Sequence, residues 1–123
     1  MDEIITILRT DEGLWTLFGS ATPRLYPGGH DGIEECITYS FYNNQDNAVK
    51  AVDTFNITVI CYSIGKAQQA LERIKELILT KGADPLTLKV LNVAQNGGGY
   101  LQNKVGDKTM HHFRANFIVT RRK

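Results

Sequence analysis

Three histidines and two cysteines are the side chains in this sequence best suited to bind a metal ion or to act as nucleophiles. His111 and His112 lie in a segment that alternates like a β-strand, where successive side chains point to opposite faces. One metal ion therefore cannot bind both rings, and we predict ordinary surface or half-buried histidines. Cys36 and Cys61 also lie in alternating stretches, which predicts small, buried, apolar side chains in a reduced, cytosolic setting rather than a disulfide.

Two short segments have the composition of binding sites but not the spacing. Residues 30–36 contain one histidine, three carboxylates and one cysteine, yet they match no zinc or calcium pattern and lack a third soft ligand. The glycines at 97–99 could let backbone amides approach a phosphate, but a P-loop needs a following lysine and a serine or threonine that opens a helix. A solvated loop and a flexible turn are the favoured interpretations, and no metal or cofactor is expected.

Catalytic and charged motifs are equally sparse. The sequence contains no nucleophile elbow and no cysteine-centred signature, although a triad assembled in space is not visible in a sequence. With 14 basic and 13 acidic residues, the formal net charge of +1 gives no general attraction to nucleic acid or anionic lipid. No stretch approaches the roughly 18 apolar residues of a membrane span, and the first residues do not look like a signal peptide. We therefore expect no catalytic site, no membrane partner and no secretion.

The N-terminal third is predicted to contain a broken helix followed by a loop. Apolar spacing predicts a helix over residues 3–18 that breaks near Thr10 and ends at the following glycine. Trp15 lies on its apolar side and is predicted to belong to the core. Residues 19–35 are rich in proline and glycine, which predicts a surface loop with one short extended piece at residues 24–26.

The middle of the chain predicts a hairpin and the clearest helix. Residues 36–42 alternate with the two-residue period of a strand, and the run at residues 55–61 does the same. The wholly polar segment 43–47 between them predicts the tip of a long antiparallel hairpin. Residues 67–78 instead place apolar side chains at i, i+3, i+4 and i+7, which is the pattern of an amphipathic helix.

The last third predicts further strands. Residues 86–90 alternate, a glycine-rich turn at 96–99 separates them from a short piece at 100–102, and residues 113–119 form a long final strand. The fold class is therefore α+β, with two helices packed on one face of a mainly antiparallel sheet of about four strands. The length of 123 residues favours a single domain over residues 1–123. The other face of the sheet must be solvated or covered by a neighbour.

The order of these features resembles one family, the tail-completion (tail terminator) proteins of long-tailed bacteriophages. Residues 24–27 (Arg-Leu-Tyr-Pro) stand where that family has an "arginine or leucine, tyrosine, proline" element. Tyr62 and Ser63 stand where its strand before the second helix ends, and residues 113–122 correspond to its closing strand. The resemblance covers roughly residues 3–122, and the glycines at 97–99 depart from it because they form a softer connection than a paired strand suggests.

The resemblance implies a structural function without a catalytic site or a cofactor. The protein would form a six-membered ring that caps the growing tail tube, stops its polymerisation and presents the surface that docks a DNA-filled head. Its partners would be further copies of itself, the major tail tube protein, and a head-completion or connector protein. It would be located in the virion, at the head-proximal end of the tail, and in the host cytoplasm during assembly.

Polar loops and an uncovered sheet edge suit the head-to-tail contacts that close a ring. We expect the following residues at subunit or tube interfaces: Arg24, Tyr26, His30, Asn43, Asn44, Gln45, Asp46 and Asn47. The basic residues Arg121, Arg122 and Lys123 would face the lumen and make transient contact with the DNA that passes through it.

Three alternatives remain open from the sequence. Another neck component, such as a head-closure protein, would also be a small oligomeric protein without an active site. A nucleic-acid-binding module is suggested by Arg114, by the basic residues 121–123 and by the aromatic side chains of Tyr39 and Tyr42. An enzyme would require titratable groups that converge in a cleft, which a sequence does not display.

Overall fold

The computed structural model describes residues 2–19, 22–28, 35–46, 50–80 and 90–122. The helices are α1 (Asp2–Thr10), α2 (Glu12–Leu17) and α3 (Ile64–Thr80), and the strands are β1 (Leu25–Pro27), β2 (Cys36–Asp46), β3 (Lys50–Cys61), β4 (Val90–Val105) and β5 (Lys108–Arg122). The strands form one sheet in the order β1-β2-β3-β5-β4. All neighbours are antiparallel except β1 and β2, which are parallel. The predicted α+β class is confirmed, with five described strands instead of about four.

The core lies between the helices and one face of this sheet. Alternate residues of β3 point towards the helices, and Phe55, Ile57 and Val59 are fully buried there. Phe55 lies opposite Phe117 of β5 in the strand register, and its ring stacks on Phe41 of β2 at 4.4 Å between centroids. The two-residue alternation predicted for these strands is thus confirmed, because it sorts their side chains between the core and the opposite face.

The predicted break of the first helix is confirmed at Asp11. This residue is the N-cap of α2, with an extended backbone (φ −82°, ψ 105°), and its carboxylate accepts a hydrogen bond from the backbone N–H of Leu14 at 3.0 Å. Trp15 is buried as predicted. Its indole Nε1 donates to the carbonyl oxygens of Leu8 and Arg9 at the end of α1, so the ring also satisfies acceptors that the break leaves free.

Helix α3 is held at its start by Glu35, the residue before β2. One oxygen of the Glu35 carboxylate accepts from the backbone N–H of Tyr62 at 3.0 Å, and the other binds Nζ of Lys66 at 2.6 Å. The predicted helix over residues 67–78 is confirmed and lies within these bounds. Its apolar side chains, including Ala67, Ile74 and Ile78, are buried against the sheet.

The predicted hairpin tip at residues 43–47 is wrong for the part that the structure describes. Asn43, Asn44, Gln45 and Asp46 belong to β2, which continues to pair with β3 after a β-bulge between Asn43 and Gln45. The turn propensity of this polar run is overridden because β3 supplies a partner for its backbone. Residue 47, the last of the predicted tip, lies outside the described residues.

The predicted turn at residues 96–99 is also wrong, because these residues lie inside β4. The register of β4 against β5 shifts between Gln95 and Gly98, so the glycines form an irregularity within one long strand. The predicted short piece at residues 100–102 belongs to the same strand. Of the strand predicted at residues 86–90, only Val90 is described, as the first residue of β4.

Candidate functional site

The sheet face that points away from the helices carries polar side chains from three neighbouring strands, and we call it the open face. Register places Thr58 of β3 opposite both Thr38 of β2 and Arg114 of β5, and the same alternation continues along each strand. The residues of the open face at its centre are Thr38, Ser40 and Tyr42 of β2, Thr54, Asn56 and Thr58 of β3, and His112, Arg114 and Asn116 of β5. These side chains are half-buried or exposed, whereas their neighbours along each strand form the core.

Two cavities lie side by side on the open face. The larger, about 300 Å³, lies between β4 and β5 and is lined by Gly98, Gly99, His112, Arg114 and Asn116, together with Thr58. We call it the glycine recess. The smaller, about 210 Å³, lies over β2 and β3 and shares the side chains of Thr58 and Arg114 with the first. The guanidinium of Arg114 is exposed and therefore available to any molecule that covers this face.

The glycine recess exists because the irregular part of β4 has no side chains. A Cβ on Gly98 would lie 2.5 Å from the backbone oxygen of Arg114, so only glycine allows β4 to approach β5 this closely. Gly97 has φ +91°, a conformation that other residues rarely adopt. A Cβ on Gly99 would meet nothing within 4 Å, which means that the space above it is open.

Two residues that line the glycine recess each have one polar atom that is shielded from solvent and has no hydrogen-bond partner among the described residues. These atoms are Nε2 of His112 and Oδ1 of Asn116. Desolvation lowers the pKa of His112 below its ordinary value, and the neighbouring His111 lowers it further. The imidazole is therefore neutral at neutral pH, and its unpaired Nε2 is shielded from solvent, which also places it out of reach of a molecule on the open face.

His111 faces the opposite side of the sheet, so the predicted separation of the two histidines is confirmed. Its Nδ1 shares a 2.6 Å hydrogen bond with the hydroxyl of Tyr100, which also accepts from Nε2 of Gln102 at 2.9 Å. The ring of Tyr100 packs against Phe113 at 4.6 Å between centroids. Over the described ranges, no group of three histidine, cysteine or acidic side chains is close enough together to hold a metal ion.

Cys36 and Cys61 are both buried and neither forms a disulfide, as the alternation predicts. Burial is the main cause that raises the pKa of Cys61 to about 12, and the carboxylate of Glu35 adds to it. A thiol with this pKa stays protonated and unreactive at neutral pH. None of the described helices is long and apolar enough to cross a membrane.

The predicted interface residues near the start of the sheet hold the protein itself together. Arg24 donates from Nη1 to the backbone oxygen of Glu35 at 3.0 Å, which fixes the segment before β1 beside β2. Tyr26 is half-buried and packs on the small apolar cluster formed by Cys36, Ile60 and Met110. His30 lies outside the described residues.

The other predicted interface residues and the basic residues predicted to face the lumen lie together at the far end of the sheet. Asp46 of β2 lies opposite Ala51 of β3, which in turn lies opposite Arg121 of β5, and Arg122 lies opposite Lys50. This end is roughly 25 Å along β2 from the residues that pair with β1, at about 3.3 Å per residue. Asn47 and Lys123 lie outside the described residues. The structure thus separates the predicted interface into two groups.

The glycine recess was missed by the sequence predictions. Alternation placed Arg114 and Asn116 on the side of β5 away from the core, so part of the signal was present. The contribution of Gly98 and Gly99 was hidden because a glycine run is typical of a turn. Only the pairing of β4 with β5 shows that the same glycines form the floor of a cavity.

The described residues form a two-layer α+β fold. Its surface includes a polar sheet face and a shallow recess. No protein-family model matches this chain, and no curated protein matches it. The fold is shared with a chain in a solved structure described as "Virion of native gene transfer agent (GTA) particle". The two superpose with a TM-score of 0.65 over 99% of this chain and 93% of that chain, at 16% sequence identity. The likeness shows a common fold over almost the full length of both chains.

Proposed function

We propose that this protein is a structural component of a virion and that, within the virion, it is a tail-completion protein. The observation that carries the proposal is the shared fold with a chain of a gene transfer agent virion, which extends over 99% of this chain. The resemblance of residues 3–122 to the tail-completion family points in the same direction on independent grounds. In this role the protein forms a six-membered ring on the tail tube, stops its polymerisation and provides the surface that joins the head.

A ring of this kind needs surfaces rather than an active site. Over the part of the chain that the structure describes, the surfaces that a neighbour can use include the open face with its recess and the outer edge of β4, the last strand in the order of the sheet. Head-to-tail contacts between unlike surfaces are the type that closes into a ring. The thiol of Cys61 is buried and protonated, so it is not available as a nucleophile at neutral pH.

The partners proposed for the ring are further copies of this chain, the major tail tube protein and a head-completion or connector protein. The group of residues at the far end of the sheet, which includes Asp46, Arg121 and Arg122, is a candidate for contact with the tube or with DNA in the lumen. In this role the protein is located at the head-proximal end of the tail.

The first experiment is a measurement of molar mass by light scattering over a wide protein concentration range, with electron microscopy of any large species. A hexamer-sized ring supports the proposal. If the free protein is a monomer, purified tail tubes are added and their length is followed with time. Tubes that continue to grow at the same rate in the presence of the protein would contradict the tail-completion role.

A second candidate in the same setting is a head-closure protein, which would leave tube length unchanged but would be required for joining heads to finished tails. A nucleic-acid-binding module is favoured by one observation, the exposed guanidinium of Arg114 near the exposed ring of Tyr42 on the open face. Binding to DNA that weakens steeply with salt concentration would support it, because phosphate contacts release counterions.

A further inference from the structure

Strand β4 ends the described sheet on one side with an outer edge of 16 residues. Proteins usually protect such an edge with a proline, with charged side chains, with a bulge or by keeping it short. The opposite edge of the described sheet follows this rule, because β1 has only three residues and ends at Pro27. After the irregularity before Gly98, β4 has none of these features, apart from a single charged residue, Lys104, near its end. This part of the edge is therefore suited to pair with another strand.

The same part of β4 is uncovered on both faces of the sheet. Tyr100 lies on the helix side, where its ring packs on Phe113, and it is 46% exposed. Leu101 lies on the open face, opposite His112 in the strand register, and it is 56% exposed. The next three residues of β4 are exposed as well. Two large, adjacent, exposed apolar side chains on a strand edge indicate a surface that a partner covers.

The hairpin turn decides which backbone groups of β4 are available at this edge. The turn at residues 106–107 closes the hairpin at Val105 and Lys108, so the N–H and C=O groups of these two residues point at each other. This direction alternates along a strand, and the register of β4 with β5 is regular back to Gly98. Every second residue counted back from Lys104 therefore presents its N–H and C=O to the outer edge. Tyr100 is one of these residues and lies near the middle of the regular stretch.

The side chains of this stretch are complementary to themselves when two copies of β4 run antiparallel about Tyr100. Tyr100 then lies opposite Tyr100 of the other copy, and Leu101 lies opposite Gly99, because the sum of paired positions is constant in an antiparallel pair. The space above Gly99 is open, since nothing lies within 4 Å of the place of a Cβ there. Leu101 of one copy therefore enters the glycine recess of the other, which Gly98 and Gly99 line. Gln102 lies opposite Gly98 in the same register, so large residues again meet a glycine.

Other arrangements of this edge lack such a fit. Parallel copies of β4 in register would place glycine beside glycine and Lys104 beside Lys104, which is unfavourable. In the antiparallel pair Lys104 lies opposite position 96, about 26 Å along the strands from Lys104 of the other copy at ~3.3 Å per residue. Charges this far apart are screened at physiological salt, where the Debye length is about 8 Å. The short edge of β1 is a poor partner for β4 because Pro27 has no N–H to donate.

We propose that β4 pairs antiparallel with β4 of a second copy of this chain, about a two-fold axis at Tyr100, so that Leu101 of each copy fills the glycine recess of the other. The pairing of residues 98–102 in the two copies forms about six backbone hydrogen bonds and joins the two sheets into one. A two-fold contact closes on two copies, so it is distinct from the head-to-tail contacts of the proposed ring. The inference goes beyond the proposed function: the free protein is a dimer in which the long strand edges are covered.

Disulfide cross-linking tests the register of this contact. Opposite residues of a hydrogen-bonded antiparallel pair have Cα atoms about 5.5 Å apart, a distance that suits a disulfide. Tyr100→Cys should therefore give a covalent dimer under mild oxidation, seen by non-reducing gel electrophoresis. Gln102→Cys is the matched control, because it is exposed on the same face but its two copies lie about 13 Å apart in the proposed register. Cross-linking of Gln102→Cys as fast as Tyr100→Cys, or of neither variant, would overturn this pairing.

A size-swap cycle tests the fit of Leu101 into the glycine recess. Leu101→Gly leaves the recess of the other copy empty, and Gly99→Leu makes two leucines collide across the pair. Each should weaken dimerisation by about tenfold or more, as measured by sedimentation equilibrium, and thermal unfolding checks that each variant is folded. The double variant again places a leucine opposite a glycine, so it should recover most of the loss. A double variant as weak as the sum of the two single variants contradicts the contact.

Leu101 and Tyr42 provide a matched pair of lysine substitutions. Both are large, exposed apolar side chains on the open face, but Tyr42 belongs to β2 and lies away from β4. Leu101→Lys places like charges near each other and near Arg114 of the other copy, so dimerisation should be lost at concentrations where the wild type is dimeric. Tyr42→Lys should dimerise like the wild type. Equal loss in the two variants would overturn the specific contact at β4.

The remaining outcomes separate this inference from the proposed function. A wild-type protein that stays monomeric at every concentration overturns the pairing of β4, and the ring is then tested on tail tubes. A dimer that depends on Leu101 but leaves the growth of tail tubes unchanged supports the pairing of β4 and contradicts the tail-completion role. Hexamer-sized rings that form equally well from the wild type and from Leu101→Lys, with no dimer at lower concentrations, overturn the pairing and support the ring.

Discussion

Asp11 and Arg73, which are 62 positions apart in the sequence, form a bidentate salt bridge that joins the start of α2 to α3. The carboxylate accepts from Nε of Arg73 at 2.9 Å and from Nη2 at 2.7 Å. The same carboxylate caps α2 through the backbone N–H of Leu14, so one side chain both starts a helix and docks it on α3. Its charge also raises the pKa of Arg73 above the ordinary value, chiefly through the hydrogen bonds.

The two roles of Asp11 are separable by substitution. Asp11→Asn keeps a good N-cap and loses the charge, whereas Asp11→Ala loses both, so stability should fall in the order wild type, Asn, Ala. The loss of the cap alone is expected to cost about 1 kcal/mol. Urea unfolding measures each variant, and Glu12→Gln serves as the control because that acid is exposed. An Asn variant as unstable as the Ala variant would show that the cap contributes nothing.

The close approach of Gly98 to β5 predicts a difference between adjacent glycines. Gly98→Ala places a methyl group 2.5 Å from the backbone oxygen of Arg114, which should destabilise the protein by about 1–3 kcal/mol. Gly99→Ala meets nothing within 4 Å and should change stability by less than about 0.5 kcal/mol. Thermal unfolding of both variants checks the prediction, and equal effects would mean that β4 does not approach β5 in this way.

The burial of Cys61 predicts that its thiol reacts only when the protein opens. Its pKa of about 12 leaves very little thiolate at neutral pH, and the side chain has no access to solvent. Labelling by iodoacetamide, mapped by mass spectrometry to distinguish Cys61 from Cys36, should be slow in the native protein and rise with urea in proportion to unfolding. Ser63→Cys places a thiol at an exposed site and should react fast. Native-state labelling of Cys61 at the same rate as that control contradicts the assignment.

The lowered pKa of His112 predicts that acid destabilises the protein. Folding lowers the pKa of His112 below the ordinary histidine value, so the unfolded chain takes up more protons than the folded protein as the pH falls below that value. The contribution of His112 to the free energy of unfolding is therefore fully present above its pKa in the unfolded chain. It is lost as the pH decreases towards its pKa in the folded protein. Ile60 of β3 and Leu101 of β4 lie opposite His112, and its ionisable neighbours on its own strand are His111, which also lowers its pKa, and Arg114.

Replacement of His112 by glutamine isolates this effect from the titration of the carboxylates. The wild type should lose more stability between neutral and mildly acidic pH than His112→Gln, as measured by urea unfolding at each pH. The acidic residues are present in both proteins, so the difference between the two curves reports His112 together with its electrostatic coupling to His111. Parallel curves would indicate that its pKa is the same in the folded and unfolded states.

Several elements were predictable because a local pattern controls them. The alternation of residues 55–61 predicted the core face of β3, although Ile60 on its other face is buried too, and the 3.6-residue period predicted α3. The break at Asp11 was visible because an N-cap residue follows an apolar helical run. In contrast, the sequence did not predict that β1 pairs in parallel with β2, with Leu25 opposite Ile37. A strand of three residues is too short for its own pattern to specify a partner.

The amino-acid sequence by itself determined the α+β class, the division of each long strand into a core side and a polar side, and the buried state of Trp15, Cys36 and Cys61. These features follow from periodicity and from the cost of exposing apolar surface. Only the tertiary structure decided that β5 lies between β3 and β4, because strand order depends on pairing between distant segments. The same pairing turned a glycine run into the floor of a recess and brought Arg114, His112 and Asn116 to its walls.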